Sequence, residues 1–391
     1  MWRAECLAAR AGYARLAVIS GVGTRRTATA RVVVGLVGPP GPRQPAGGPA
    51  ARMLASVSGS AVEAVTEDGA FARKASSFRG SLDPGGPHPP AAGRYHLYIS
   101  HACPWANRCH ALLKMKGLEH AVGVSVTHPT WKRTRPEDPA DQHCGWAFAD
   151  PARAFDSGRG VYAAHNCVPD PHEGASFVRD LYDLASGGAY SGTWSVPVLW
   201  DTERKTIVNN ESSEIVRILN SELNDHAARP GLDLNPPGLR DELDALESWV
   251  YDGINNGVYR CGFARSQGAY DEAEQKLFEC LQRAEELLET RRYLAGDQIT
   301  EVDIWLFMTL VRFDEVYVVY FKTNRKCVRE YPNLSNYVRD LYQTPGIGES
   351  VNMEDIKTHY FTSHPHLNPF GIVPRGPAVD FGAPHDRDRF G

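Results

Sequence analysis

The chain lacks the features that mark several large classes of protein. In its 391 residues no run approaches the roughly 20 consecutive apolar residues needed to span a bilayer. Its eight cysteines are scattered and form no Cys-x-x-Cys pair, which argues against a disulfide framework and favours a reducing compartment. There is no basic stripe, and a formal net charge of -5 argues against nucleic-acid binding. These absences leave a globular protein of one large or two modest domains.

The first 52 residues contain eight arginines but a single acidic residue, Glu5. An arginine-rich, acid-poor leader is typical of an organelle transit peptide. We therefore expect residues 1–60 to be such a leader, with a disordered extension as the alternative interpretation. Residues 61–93 are predicted to be an N-terminal extension that ends in the Pro/Gly-rich stretch DPGGPHPPAAG.

Periodic structure begins at residue 95. The segment YHLYIS (95–100) alternates and is rich in aromatic residues, which predicts a strand. Pro104 suits the first turn of the helix that follows, and Gly117 suits its C-terminal stop. A second strand is predicted over 121–128. So short a crossover implies that the two strands are parallel.

The next hundred residues complete a recognisable order of elements. Residues 129–175 are rich in Pro, Asp and His and predict a long functional loop. A helix (176–185), a hairpin of two strands (195–200 and 206–208) and a helix (211–223) are predicted after it. The order β-α-β-α-β-β-α is that of a thioredoxin-like domain, which we place at residues 94–225.

Long helical patterns dominate residues 236–345 and predict an all-α domain. Apolar stripes are expected over 239–254, 271–291 and 302–321, and a proline-marked helix over 333–346. Thr300 and Asp303 have the spacing of a capping box in front of the most apolar of these helices. Residues 346–391 are interpreted as a Pro/Gly/His-rich C-terminal extension. The predicted fold is an α/β thioredoxin-like domain followed by an all-α domain.

Cys103 is the leading candidate for chemistry. It follows a predicted strand and precedes a predicted helix, where free N–H groups and the helix dipole favour a thiolate. The position three residues later is Ala106, so any disulfide formed by Cys103 has to be resolved by an external thiol. A buried structural thiol is the alternative. A zinc site with His101, Cys109 and His110 is a further one, although this spacing matches no familiar tetrahedral site.

Several segments together resemble the glutathionyl-hydroquinone reductases, the Xi class of the glutathione transferases. They are CPWANRCHALLKMKGLE, GWAF, SVPVLWD, IVNNESSEI, RFDEVYVVYFK and IKTHYFTSHPHLNP, and the resemblance covers residues 70 to 377. The tail LNPFGIVPRGP is most similar to that of plant and algal members, which makes the chloroplast the expected compartment, with mitochondrion or cytoplasm as alternatives. The resemblance implies the glutathione-transferase fold, glutathione as co-substrate, no bound cofactor or metal, and a homodimer.

The resemblance also implies a set of glutathione-binding residues. Pro197 would be cis, and the backbone of Val196 would pair with the cysteinyl part of glutathione. Glu211 and Ser212 would hold the γ-glutamyl end, an assignment that ordinary helix N-capping would also explain. Trp146 would line the same pocket.

Two tyrosines are implied for the aromatic substrate. Tyr259 and Tyr360 would lie over the active cysteine and assist proton transfer to or from the quinol oxygens, with half-buried packing tyrosines as the alternative. His359 is a weaker candidate. The sequence departs from the family at Thr193, where a basic group is usual, and at Phe361, which replaces a tyrosine.

The expected reaction is the glutathione-dependent reduction of glutathionyl-hydroquinones through a Cys103–glutathione mixed disulfide. Thioltransferase or dehydroascorbate reductase activity is one alternative, and a non-catalytic binding protein is another. A conventional conjugating transferase would use Ser or Tyr where this chain has Cys103.

The leader generates the first testable prediction. A fluorescent protein fused to residues 1–60 should accumulate in a plastid or mitochondrion, because the segment combines many arginines with almost no acids. Confocal imaging of the fusion checks this. A diffuse cytosolic signal, equal to that of the fluorescent protein alone, would favour the disordered extension.

Overall fold

The structure is a computed structural model that describes residues 69–71, 75–163 and 166–391. The predicted leader of residues 1–60 lies outside the described residues, as do 61–68 of the predicted extension. In the described part of the chain, no helix is long and apolar enough to cross a membrane.

A four-stranded mixed sheet forms the first layer, and its strands lie side by side in the order 122–126, 95–99, 198–201 and 206–209. Strand β1 (Tyr95–Ile99) pairs in parallel with β2 (Val122–Val126), as predicted from the short crossover. Strand β7 (Val198–Asp201) runs antiparallel to β1 and to β8 (Thr206–Asn209). All five residues of β1 are buried, so this strand is the centre of the core.

Helix α1 (Pro104–Lys116) follows β1 and is buried on every side except at Lys114. It packs against helix α3 (Ser212–Arg217) on one side and against α7 (Glu301–Arg312) of the helical region on the other. Gly117 ends α1 in the left-handed conformation, as predicted, with φ of 65°. Helix α2 (Val178–Ala185) packs on β8. These elements confirm the thioredoxin-like order.

The predicted loop of residues 129–175 is mostly irregular but contains two short antiparallel ladders. In the first, β3 (Lys132–Arg133) pairs with β4 (Cys144–Gly145). In the second, β5 (Phe155–Asp156) pairs with β6 (Val161–Tyr162). Strands of two residues are too short to show alternation, which is why the sequence did not predict them.

The helical region contains α4 (Arg240–Trp249), α5 (Gly257–Phe263), α6 (Gln267–Leu287), α7, α8 (Val318–Tyr320) and α9 (Pro332–Gln343). Two predicted helices are interrupted. The first passes from α4 into a π-helical turn at Val250–Asn255, and the second passes from α7 into one at Phe313–Tyr317. A π-helical turn is a local irregularity inside a helix, and all five residues of the second turn are buried, so no polar face marks the change in the sequence.

The C-terminal extension contains a helix that the sequence analysis did not predict, α10 (Met353–Ser363). Every residue of α10 from Asp355 onward is buried, so the segment shows no amphipathic period from which a helix could be recognised. Asn352 caps it by accepting a hydrogen bond from the Asp355 N–H at 3.0 Å. The chain beyond α10 is held to that helix, since Lys357 donates to the carbonyls of Arg375 and Gly376 at 3.0 Å each.

The predicted capping box is confirmed at the start of α7. The buried carboxylate of Asp303 accepts hydrogen bonds from the Thr300 N–H (2.8 Å) and hydroxyl (2.7 Å). It also accepts from the Leu294 N–H (2.8 Å) and the Tyr337 hydroxyl (2.8 Å). One side chain therefore joins the start of α7 to the preceding loop and to α9.

This convergence predicts a large loss of stability in Asp303→Ala. The substitution leaves buried donors without acceptors, each worth about 1–3 kcal/mol, so we expect a loss of at least about 2 kcal/mol in the free energy of unfolding. Urea denaturation, read as a lower midpoint at an unchanged slope, checks it. Ser266→Ala is the matched control, because Ser266 is exposed and caps α6 by accepting a hydrogen bond from the Ala269 N–H. Equal losses in the two variants would contradict the assignment.

Candidate active site

Cys103 occupies the junction between β1 and α1. It is the N-cap residue of α1, with extended backbone (φ −79°, ψ 115°), and Pro104 takes the first helical position as predicted. Its Sγ lies 3.5 Å from the carbonyl oxygen of Val196. The thiol is partly exposed, whereas Cys109 in the same helix is buried. A partly exposed thiol at a helix N-terminus has the setting of a reactive one.

Four of the other cysteines are disfavoured as nucleophiles by their surroundings. Burial raises the pKa of each thiol, so these groups are protonated at neutral pH; they are Cys109, Cys261, Cys280 and Cys327.

The residues considered for zinc have other partners. His101 Nδ1 lies 2.8 Å from Asp355 Oδ2 of α10, and the His110 ring stacks on that of His101 with centroids 5.7 Å apart. Cys109 Sγ lies 3.4 Å from the Ser212 carbonyl oxygen. Across residues 69–71, 75–163 and 166–391, no group of three or more His, Cys, Asp and Glu side chains could hold a metal ion.

Residues 100–103, which join β1 to α1, form the Cys103 loop. A cleft with largely polar walls, the polar cleft, lies beside this loop. Its empty space, including the open mouth, is about 560 Å³. Val196, Pro197, Glu211 and Ser212 all line it, so the structure brings together four of the five residues predicted for glutathione. The Val196–Pro197 peptide bond is cis, as the resemblance implied.

Trp146 is not among the residues that line the polar cleft. Its buried ring stacks on His359 at 4.5 Å and meets Trp131 edge-on at 5.4 Å. Burial lowers the pKa of His359 to about 4, and its Nδ1 lies 2.8 Å from the Pro129 carbonyl oxygen, so this histidine is neutral and held in place. The assignment of Trp146 to glutathione stays a prediction.

Glu211 and Ser212 begin α3 over a buried arginine that the sequence analysis missed. Arg108 of α1 donates to Ser212 Oγ at 2.6 Å and lies 3.8 Å from Glu211 Oε1. Burial opposes ionisation of Glu211. The positive charge of Arg108 and hydrogen bonds from Ser76 and Ser213 outweigh it, so the pKa of Glu211 is lowered. Glu211 and Ser212 therefore present an ionised carboxylate beside a hydroxyl at the N-terminus of α3.

Thr193 lines the polar cleft at the position where the family usually has a basic group. The nearby Arg179 lies over the ring of Trp194 at 4.3 Å, but it is paired with Asp141 at 2.6 Å. No arginine or lysine is found among the described residues that line the cleft.

Phe361 is the second position at which the sequence departs from the family pattern. Its ring packs edge-on against that of Tyr320, with centroids 5.0 Å apart.

The two predicted tyrosines meet, and a third joins them. The hydroxyls of Tyr259 and Tyr360 are 2.5 Å apart, and those of Tyr317 and Tyr360 are 3.0 Å apart. We call these three residues the tyrosine cluster. Sequence reasoning missed Tyr317, although it lies in the RFDEVYVVYFK segment that carries the resemblance, because the π-helical turn at Phe313–Tyr317 sets its direction.

All three phenols are buried and protonated. Burial is the largest cause that raises the pKa of Tyr259, Tyr317 and Tyr360. Negative charge on Cys103 further raises the pKa of Tyr259 and Tyr317. The cluster is thus a set of neutral O–H donors within electrostatic reach of the thiol.

Trp105 connects the tyrosine cluster to the polar cleft. It lines the cleft, and its ring centroid is 4.9 Å from that of Tyr259. Tyr259 also packs on Phe321 at 5.2 Å and on Phe71 at 6.3 Å. The site therefore has a polar part at α3 and an aromatic part in the helical region, with Cys103 beside both.

Comparisons with known proteins match both halves of this architecture. The glutathione S-transferase N-terminal domain family matches residues 102–222, and the corresponding C-terminal domain family matches 267–340. The glutathionyl-hydroquinone reductase YqjG of Escherichia coli is 45% identical over 83% of this chain and 94% of its own. PcpF of Sphingobium chlorophenolicum, which has the same activity in its name, is 43% identical over 79% of this chain and 90% of its own.

Solved structures agree with the sequence relatives. The Xi glutathione transferase of Phanerochaete chrysosporium superposes with a TM-score of 0.73 at 46% identity, over 82% of this chain and 97% of its own. The glutathione-bound structure of YqjG superposes with a TM-score of 0.70 at 43% identity, over 80% of this chain and 96% of its own. The plant or algal affinity of the tail stays a prediction. The chain belongs to the glutathionyl-hydroquinone reductase family, the Xi class of the glutathione transferases.

Proposed function

We propose that the protein reduces glutathionyl-hydroquinones to hydroquinones, with glutathione as the only co-substrate and Cys103 as the nucleophile. The observation that carries this proposal is the placement of Cys103 between two different surfaces. Its Sγ is 3.5 Å from the Val196 carbonyl at the polar cleft, and Trp105, two residues further along, packs on Tyr259 of the tyrosine cluster with ring centroids 4.9 Å apart. A substrate that joins a tripeptide to a phenolic ring needs both surfaces.

Glutathione would lie along the polar cleft. The ionised Glu211 would receive its amine, and Ser212 at the start of α3 would hold its γ-glutamyl carboxylate, with the charge of Arg108 behind both. The backbone of Val196 would pair with the cysteinyl unit, which brings the glutathione sulfur to Cys103. Trp146 would support this pocket from its stack on His359.

In the first half-reaction the Cys103 thiolate attacks the sulfur of the conjugate. A sulfur–sulfur bond forms while the sulfur–carbon bond breaks, and the electron pair of that bond leaves with the aromatic carbon, which takes up a proton. Tyr259 and Tyr360 would bond the quinol oxygens and assist this proton transfer. The products are a hydroquinone and a Cys103–glutathione mixed disulfide.

In the second half-reaction a free glutathione thiolate attacks the mixed disulfide. Oxidised glutathione leaves, and the Cys103 thiolate is restored. The electrons balance, since two glutathionyl sulfurs are oxidised to one disulfide while the aromatic carbon is reduced. Ala106 stands where a resolving thiol would be, which is consistent with an external thiol for this step.

Two other functions use only part of this site. A thioltransferase or dehydroascorbate reductase needs Cys103 and the polar cleft but not the tyrosine cluster. A non-catalytic binding protein needs neither the thiol nor an ionised Glu211. Three phenols in hydrogen-bonding contact beside the thiol favour an aromatic substrate over both alternatives.

We also propose that the protein is a homodimer and that an organelle, the chloroplast first, is its compartment. The family likeness supports the dimer, and the arginine-rich leader supports the targeting. Light scattering on the purified chain would decide the first: a mass of one chain across the micromolar range would overturn it.

Cys103→Ser tests the nucleophile. It should abolish the reduction of glutathionyl-menadione, because a serine hydroxyl cannot form the mixed disulfide. Hydroquinone and oxidised glutathione are measured by chromatography, and intact mass after incubation with oxidised glutathione should show an adduct in the wild type that maps to Cys103. Cys327→Ser is the matched control and should keep turnover within a few-fold. Substantial turnover in the Cys103 variant would rule out the mechanism.

Tyr→Phe variants test the tyrosine cluster. Phe at position 259 or 360 should slow turnover of glutathionyl-menadione roughly ten- to a hundred-fold, since a hydrogen bond to a partly charged oxygen contributes about 1.5–3 kcal/mol. Turnover of a simple glutathione mixed disulfide should hardly change, because that substrate has no quinol oxygen.

Tyr320→Phe is the matched control for these variants. Its hydroxyl is also buried and bonded, but to His364 Nδ1 at 3.0 Å and not to the tyrosine cluster. It should leave the ratio of the two activities unchanged. An equal loss on both substrates in the position 259 and 360 variants would assign these tyrosines to the fold or to glutathione binding.

A further inference from the structure

A buried arginine reaches from the last residue of α7 to the loop that carries Cys103. Arg312 has no exposed surface. Its Nη2 donates to the His101 carbonyl at 2.8 Å and to Asn107 Oδ1 at 2.7 Å, and its Nε lies 3.4 Å from the Ala102 carbonyl. One guanidinium thus binds the two residues before Cys103 and the first turn of α1.

The acceptors of this guanidinium are neutral. Besides these three, it donates from Nη1 to the Met308 carbonyl at 2.7 Å, and among the described residues no carboxylate forms an ion pair with it. Arg108 differs, because Glu211 lies 3.8 Å from it. A fully buried charge without an opposite charge is costly, so a nearby group that can become an anion will be stabilised as one.

The positive charge of Arg312 also affects the pKa of a phenol in the tyrosine cluster. Burial is the main cause that raises the pKa of Tyr317, the charge of Arg312 opposes this, and negative charge on Cys103 adds to it. Arg312 and Cys103 therefore act on the same phenol from the same neighbourhood. Of the groups around Arg312, Cys103 is the one that the proposed reaction needs as an anion.

We propose that Arg312 is a positioning residue that fixes the Cys103 loop and supplies the positive charge that stabilises the Cys103 thiolate. This inference rests on the proposed role of Cys103 as nucleophile. It goes beyond that role because it attributes the ionisation of the Cys103 thiol to a residue of the helical region as well as to the N-terminus of α1.

Other charged and titratable groups surround the loop from several elements, and they stay in place when Arg312 is replaced. Asp355 of α10 is paired with His101, and Glu315 is paired with Lys357 of α10 at 3.2 Å. Further charged and titratable groups on these elements are Arg108 and His110 of α1, Glu211 before α3, Tyr259 of α5, Tyr317 of the π-helical turn, and His359 and Tyr360 of α10.

The test is the rate of alkylation of Cys103 by iodoacetamide between pH 4 and 9, followed by mass spectrometry of the Cys103 peptide. This measurement involves no quinone and no glutathione, so it reports on Arg312 even if the proposed activity is absent. In Arg312→Gln the midpoint of the profile should rise by about one pH unit or more, since a nearby opposite charge shifts a pKa by about 1–3 units. Alkylation well below both midpoints should then be about ten-fold slower.

The variant Arg312→Lys separates the effect of the positive charge from the effect of holding the Cys103 loop in place. This variant keeps the charge but loses the forked hydrogen bonds, so its midpoint should stay nearer the wild type than that of the Gln variant. Turnover of glutathionyl-menadione, measured in parallel, should fall in both variants. A Gln profile that superposes on the wild type would overturn the proposed charge effect.

Arg387→Met is the matched control. Arg387 is also fully buried and donates to backbone carbonyls, those of Leu288 and Arg292 at 2.7 and 2.8 Å among them, but it has no contact with the Cys103 loop. It should lower stability without moving the Cys103 midpoint. If Arg312→Gln does not fold, Asn107→Asp keeps the arginine and places a carboxylate on it; the midpoint should rise there as well, and an unchanged midpoint would overturn the proposal.

Discussion

The site depends on one constraint, the burial of helix α1 from both sides. The sheet and α3 pack on one side of α1 and α7 packs on the other, so this helix is held between the two parts of the chain. Cys103 is the N-cap residue of this helix. Its thiol therefore lies at the polar cleft, and partners from both parts of the chain reach the loop that carries it.

The polar side of the site is built from groups that would be unstable alone. Arg108 is buried in α1, and it is stabilised by Ser212, by Glu211 and by the face of Trp305 at 4.4 Å. Arg108, together with hydrogen bonds from Ser76 and Ser213, keeps Glu211 ionised. Arg108 thereby joins α1 to the start of α3, where Glu211 and Ser212 line the polar cleft.

The aromatic side depends on irregular helical geometry. The regular part of α7 ends at Arg312, which reaches the Cys103 loop, and the π-helical turn at Phe313–Tyr317 that follows directly contains Tyr317 of the tyrosine cluster. Helix α10 brings Tyr360 and Asp355 to the same place from the C-terminal extension. Elements that are distant in sequence thus complete a site that begins in the thioredoxin-like domain.

The sequence by itself determined the regular parts of this protein. Strand alternation, Pro104 and Gly117 were enough to place β1, α1 and β2, and the spacing of Thr300 and Asp303 was enough to find the cap of α7, because these are local effects of backbone and side-chain chemistry. The position of Cys103 followed from the same local signals. Family motifs added Val196, Pro197, Glu211, Ser212 and the two tyrosines.

Only the tertiary structure decided the rest. The roles of Arg108 and Arg312 come from partners more than 100 residues away, and the place of Tyr317 comes from a π-helical turn; no local pattern records either. Helix α10 is buried on every side from Asp355 onward, so that part shows no alternation of exposed and buried faces from which a helix could be recognised. Periodicity reports which face of an element meets solvent; where every face meets protein, the fold alone assigns the contacts.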